Sequence, residues 1–133
     1  RRRMIIKLCY KSYQAKMSMG AIKQFKEATG KDLWFTLISF INAYMSSAQM
    51  TILERMQHLY SIVDFETASE LFHALIRSED NSIPLEEIQD AMFRVGWLPS
   101  TKDDDLSDPW PLVMVVTAYG VDKQFSDVVT EKK

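Results

Sequence analysis

Hydrophobic and polar residues alternate at the start of this chain. Ile6, Leu8 and Tyr10 share one parity, with Lys7, Cys9 and Lys11 on the other. Past Ser12 the apolar set becomes Tyr13, Ala15, Met17 and Met19, interleaved with Gln14, Lys16 and Ser18. A period of two with aromatic and β-branched content predicts two short strands over 5–19. The change of parity near Lys11-Ser12 puts a hairpin turn there, although neither residue favours the positive φ of tight hairpin turns. An isolated two-stranded hairpin is marginal in water, so its apolar face must pack on the rest of the chain.

From residue 20 the period becomes helical. A first helix over 20–29 turns Ile22 and Phe25 inward and stops at Gly30, a residue suited to the left-handed position after a helix. Asp32 caps a second helix over 33–46, whose sequence is apolar on nearly every side. Such a helix is expected to be buried, in its own core or in a partner. Thr51 and Glu54 form a capping box for a third helix, with Ile52, Met56, Leu59, Tyr60 and Val63 at helical spacing. Asp64 caps a fourth, striped by Phe65, Ala68, Leu71, Phe72, Leu75 and Ile76. Pro84, at the first helical position, opens a fifth that faces Leu85, Ile88, Ala91, Met92 and Val95 inward and ends at Gly96. Residues 97–109 form an Asp-rich connection longer than most loops. A sixth helix is expected over about 109–119, striped by Leu112, Val115, Val116 and Tyr119. Gly120 should interrupt it, and Val121, Phe125 and Val128 continue the stripe. The expected fold is mainly α. It is a single-domain bundle of five to six helices with a small N-terminal β-hairpin: strands in 1–19, a helical core in 20–96, the loop, and a C-terminal helical segment in 110–129.

Length and composition fit one domain with a core of its own. The chain has 133 residues, 47% of them hydrophobic and 26% charged. The apolar run over 33–45 is too short, and too often broken by Thr36, Ser39 and Asn42, to span a bilayer. Arg1–Arg3 ahead of Ile5 imitate the start of a signal peptide, but no apolar region develops, and Met4 is the expected natural start. Cys9 is the single cysteine, which fits a reducing compartment. The net charge of −2 hides an asymmetry: residues 1–31 carry nine Lys or Arg against Glu27 alone, and the rest is strongly acidic. Blocks of opposite sign permit head-to-tail self-association, or simply neutralise one another within one fold.

Catalytic chemistry is sparse. His58 and His73 lie far apart without metal-ligand spacing, and both are expected to be structural or solvated. Cys9 lies between Lys7 and Lys11 but in no motif, and is expected to be an inert small residue. Glu86 and Glu87 suit the first turn of a helix, and Asp103–Asp105 lack the ligand spacing of a calcium loop. With no phosphate loop, nucleophile elbow or CxxC pair, no enzyme, metal site or cofactor is expected. The basic stretch 1–31, with Tyr10 and Tyr13 interleaved, supports an alternative as a small nucleic-acid-binding regulatory protein. The acidic remainder of the chain argues against it. Eight methionines and Trp34, Trp97 and Trp110 beside helix starts favour binding another protein. The residues expected to touch the partner are Trp34, Leu37, Phe40, Ile41 and Tyr44.

The stretch Gly20-Ala21, Phe25, Glu27, Gly30 and Leu33, followed by Pro84-Leu85-Glu86-Glu87-Ile88, resembles the tail assembly chaperones of long-tailed bacteriophages and prophages. The resemblance covers about residues 5–96. It implies a non-enzymatic chaperone in the host bacterial cytoplasm, absent from the mature virion. Such a protein would bind the tape measure protein and help recruit tail tube protein, without a cofactor, and a longer frameshifted form is common in that family. It carries no catalytic residues over to this chain.

Overall fold

The computed structural model describes residues 4–96 and 108–131; Arg1–Arg3, Trp97 and Asp103–Asp105 lie outside the described residues. The elements run β1 (Met4–Leu8), β2 (Lys11–Ala15), α1 (Met19–Thr29), α2 (Leu33–Ser46), α3 (Ile52–Ile62), α4 (Phe65–Arg77), α5 (Leu85–Val95) and α6 (Trp110–Glu131). The fold is mainly α with one small antiparallel hairpin, as the periodicity predicts.

The hairpin pairs Met4 with Ala15 and Leu8 with Lys11. Its turn is therefore Cys9-Tyr10, two residues earlier than the parity change suggested. Tyr10 is exposed in the turn and does not extend the apolar face of β1. Both turn residues have positive φ, 50° for Cys9 and 63° for Tyr10. This is the conformation whose twist matches a two-residue hairpin, and it costs a residue with a Cβ on the order of 1 kcal/mol or more. The double substitution Cys9→Asn with Tyr10→Gly is expected to raise stability by about 1 kcal/mol in urea denaturation, because both new residues accept that backbone. An unchanged midpoint would show that the turn stores no such strain.

The core is centred on α4, which packs against α1, α5 and β2. Its predicted stripe is buried at Ala68, Leu71, Phe72, Leu75 and Ile76, while Phe65 at its start is half-buried against the core. The Lys16 amide donates to the Leu75 carbonyl at 3.1 Å, tying the chain after β2 to this helix. Local signals set the helix ends. Ser18, Asp32, Thr51 and Asp64 each accept a backbone N–H at a helix start, and the capping box of α3 is complete. Gly30 closes α1 with φ 75° and Gly96 closes α5 with φ 69°. Pro84 precedes α5 as its N-cap and does not occupy the first helical position.

The largest departure is α6. Gly120 does not interrupt it; the helix runs through to Glu131. A Cβ at residue 120 would lie 3.0 Å from the Met4 sulfur and 3.1 Å from its Cγ. The glycine therefore lets β1 approach the helix closely, at the usual helical cost of about 1 kcal/mol. Beyond it, Gln124 clasps the backbone of Met17, accepting from its N–H at 3.1 Å and donating to its carbonyl at 3.2 Å. Packing on the hairpin thus carries the helix past a weak residue. The buried face of α6 is also rotated from the predicted stripe: Trp110, Val113, Met114, Thr117, Ala118 and Val121 are buried with Val115, while Val116 and Tyr119 are exposed. The side chains of Phe125 and Val128 lie outside the described residues.

Candidate functional site

Helix α2 is buried on one face only. Leu33, Thr36, Leu37, Phe40 and Ala43 point into the core, whereas Phe35, Ile38 and Met45 are exposed. Of the two expected ways of burying this helix, the core accounts for its inner face alone. The helix is as apolar as predicted, and among the described elements α1, α3 and α6 make its main contacts.

Its ends are fixed by hydrogen bonds. Asp32 accepts from the Phe35 amide at 2.8 Å. At the other end α2 has no basic residue of its own, and Arg55 of α3 supplies the charge. The Arg55 guanidinium donates to the Tyr44 carbonyl at 2.8 Å and to Ser47 Oγ at 3.1 Å, and lies 3.8 Å above the Tyr44 ring. Helix α2 is therefore a firm platform for whatever its outer face touches.

Where α2 meets α6 an apolar groove opens, with a cavity of about 450 Å³. Trp34, Leu37, Ile38, Ile41 and Met45 form one wall, and Ala118, Tyr119 and Val121 form the other. Asn42 and Asp122 are the polar members of the lining. Contiguous exposed apolar surface of this kind marks interaction sites more often than chance.

The structure divides the five expected contact residues. Trp34, Leu37 and Ile41 line the groove, with Leu37 almost wholly buried at its floor. Phe40 is fully buried in the core and is not available to a partner. Tyr44 is half-buried beneath Arg55, outside the groove lining. Sequence reasoning missed Ile38, Met45 and Tyr119. The first two were legible as part of an apolar helix but not as its outer face, and Tyr119 had been counted among inward residues. Trp110 is likewise no anchor for a partner; it is 2% exposed, with Tyr60 and Phe65 packed on its ring at 5.9 and 6.2 Å.

The other candidate chemistry resolves into structural contacts. The Ile83 carbonyl can only accept, so His73 Nε2 donates to it at 2.9 Å, and the Gln24 amide donates to Nδ1 at 3.2 Å. Among the described residues no group of three His, Cys, Asp or Glu side chains is placed to hold a metal. No described helix is long and apolar enough to cross a membrane. In the basic N-terminal stretch, Tyr13 is buried and its hydroxyl donates to Glu87 at 2.8 Å, so it cannot serve as a stacking platform for bases.

Glu87 Oε2 also accepts from Lys11 at 2.7 Å, so one carboxylate clamps the hairpin to α5. The Lys11 and Tyr13 hydrogen bonds hold the Glu87 carboxyl below the usual carboxylate range. Burial, reinforced by Glu87, pushes the Tyr13 phenol well above its ordinary value. The signs are opposite. The Glu87 contribution is present above the unfolded value near ~4.3 and is lost as pH falls through the lower folded value. The Tyr13 contribution is present below the unfolded value near ~10 and is lost as pH rises through the higher folded value. Tyrosine absorbance on alkaline titration is accordingly expected to show Tyr13 ionising last, together with loss of the helical circular dichroism signal. Ionisation of every tyrosine before any unfolding would contradict the clamp.

Comparison with protein families, with characterised proteins and with solved structures finds no match to this chain.

Proposed function

We propose that this protein is a non-enzymatic binding protein that receives an apolar helix of a client in the groove between α2 and α6. Within that class we propose the role of a phage tail assembly chaperone, which holds the tape measure protein and helps recruit tail tube protein. The groove is the observation that carries this reading. Its walls are apolar, its α2 wall is about 20 Å long at the usual rise of a helix, and its two polar residues suffice to orient a ligand. A client helix would lay residues spaced i, i+3, i+4 and i+7 along it. The adaptable Met45 at its edge suits a client whose apolar stripe varies along its length.

The test is co-expression with the tape measure protein of the same particle. The protein should keep that long helical partner soluble and co-purify with it. Tyr119→Asp, which places a carboxylate on the exposed wall of the groove, is expected to weaken capture at least about tenfold while leaving the circular dichroism spectrum unchanged. A tape measure protein equally soluble with and without this chain would overturn the chaperone role. Capture unaffected by Tyr119→Asp would move the site away from the groove.

A further inference from the structure

The hairpin has one edge that no described residue pairs with. In a two-residue hairpin the closing pair, here Leu8 with Lys11, exchanges hydrogen bonds, and bonded and unbonded pairs then alternate along the ladder. Met4, Ile6 and Leu8 therefore turn their N–H and C=O groups towards β2, whereas Ile5 and Lys7 turn theirs away from it. The same alternation sends the Lys16 amide away from β1, where it meets the Leu75 carbonyl at 3.1 Å. The four main-chain groups of Ile5 and Lys7 have no such partner among the described residues. Main-chain groups without a protein partner face water in a folded protein, so this edge of β1 is open. Helix α6 meets the strand on its inner face, with Met4 against Gly120.

We propose that this edge takes up an extended acidic segment of a partner protein as a third, antiparallel strand. Main-chain bonds supply the pairing, and the side chains choose the partner. Ile5, 50% exposed, and Lys7 stand on the outer face of the hairpin with Ser12, Gln14 and Lys16. That face carries two lysines and no carboxylate, and neither lysine is ion-paired among the described residues. The matching strand places Asp or Glu opposite Lys7 and, two residues later, a β-branched residue opposite Ile5. A second copy of the chain fits badly, because its own β1 would bring another Lys7 and a basic N-terminal stretch to a surface that is already basic. A nucleic-acid backbone fits badly too. Its phosphates only accept hydrogen bonds and leave the Ile5 and Lys7 carbonyls unanswered.

Lys7 also limits what pairs here. A charge on an exposed strand suppresses indiscriminate edge-to-edge pairing and leaves a strand of opposite charge favoured. Neither Ile5 nor Lys7 lines the groove between α2 and α6, so the edge is a second interface and does not rest on the client reading.

The test is amide hydrogen exchange by NMR on the isotope-labelled chain. The probe is a short capped peptide in which glutamate and valine alternate at every second position, with threonine between them. A second peptide has lysine in place of glutamate. In the free chain the Ile5 and Lys7 amides should exchange rapidly, while the Ile6 and Leu8 amides, bonded to β2, are protected. Saturation with the glutamate peptide should slow exchange at Ile5 and Lys7 at least about tenfold, and the lysine peptide should leave it unchanged. Lys7→Glu should reverse the preference between the peptides, with Ile6 still protected as proof that the hairpin is intact. Slow exchange at Ile5 and Lys7 in the free chain overturns the proposal, since the edge would then be covered already. Equal binding of the two wild-type titrations overturns it, and so does no binding of either. Protection that rises with chain concentration alone, or that follows addition of a single-stranded oligonucleotide and not of the glutamate peptide, gives the edge to a different occupant and overturns it equally.

Discussion

Phe40→Ala is expected to cost about 3–5 kcal/mol of folding stability, read as a lower urea midpoint at unchanged slope. The ring is fully buried where the inner face of α2 meets the core, so its removal forfeits both the transfer of the ring from water and the contacts of the cavity it leaves. Domains of this size are stable by only ~5–15 kcal/mol, so the variant sits near the edge of folding. Phe35→Ala is the control on the same helix. Its ring is largely exposed, and the change should stay within about 0.5 kcal/mol. Equal losses at the two positions would mean that α2 is oriented differently about its own axis, and the groove would fall with it.

A second pair separates floor from rim. Leu37→Asp is expected to leave the protein largely unfolded at pH 7, a loss of more than about 4 kcal/mol, because Leu37 is 4% exposed at the base of the groove. The buried carboxyl would have a raised pKa in the folded state. Folding should therefore recover partly as pH falls from 7 towards ~5, above the range where native carboxylates such as Glu87 begin to lose their own contributions. Ile38→Asp, one residue further along and mostly exposed, should stay folded at every pH in that range. Thermal denaturation at pH 5 and pH 7 reads both. A folded Leu37→Asp at pH 7 would show that the groove floor is open to water.

The pH behaviour of the hairpin clamp and the two helix-face experiments report on different parts of the molecule. The clamp joins β1–β2 to α5 through Lys11, Tyr13 and Glu87. The groove depends on α2 and α6. Failure of the clamp leaves the groove standing, and the reverse holds, which makes each separately informative.

Much of the fold was legible in the sequence because its signals are local. Ser18, Asp32, Thr51 and Asp64 mark helix starts through bonds that span only three residues, and Gly30 and Gly96 mark ends through their own backbone conformation. The stripe of α4 was legible because a helix that packs on several neighbours must be apolar where they touch it. What the sequence could not determine depends on distant chain. Gly120 signals a break until Met4 is found 3.0 Å from where its Cβ would be, and only the meeting of β1 and α6 supplies that atom. The turn at Cys9-Tyr10 contains no turn-forming residue, so its place is set by the pairing of Leu8 with Lys11 and by burial of the strand faces. Above all, a helix apolar on nearly every side gives no periodic signal of which side faces inward. Phe40 and Ile38 read alike in sequence, and only the packing of α1, α3 and α6 against α2 makes one core and leaves the other on the surface.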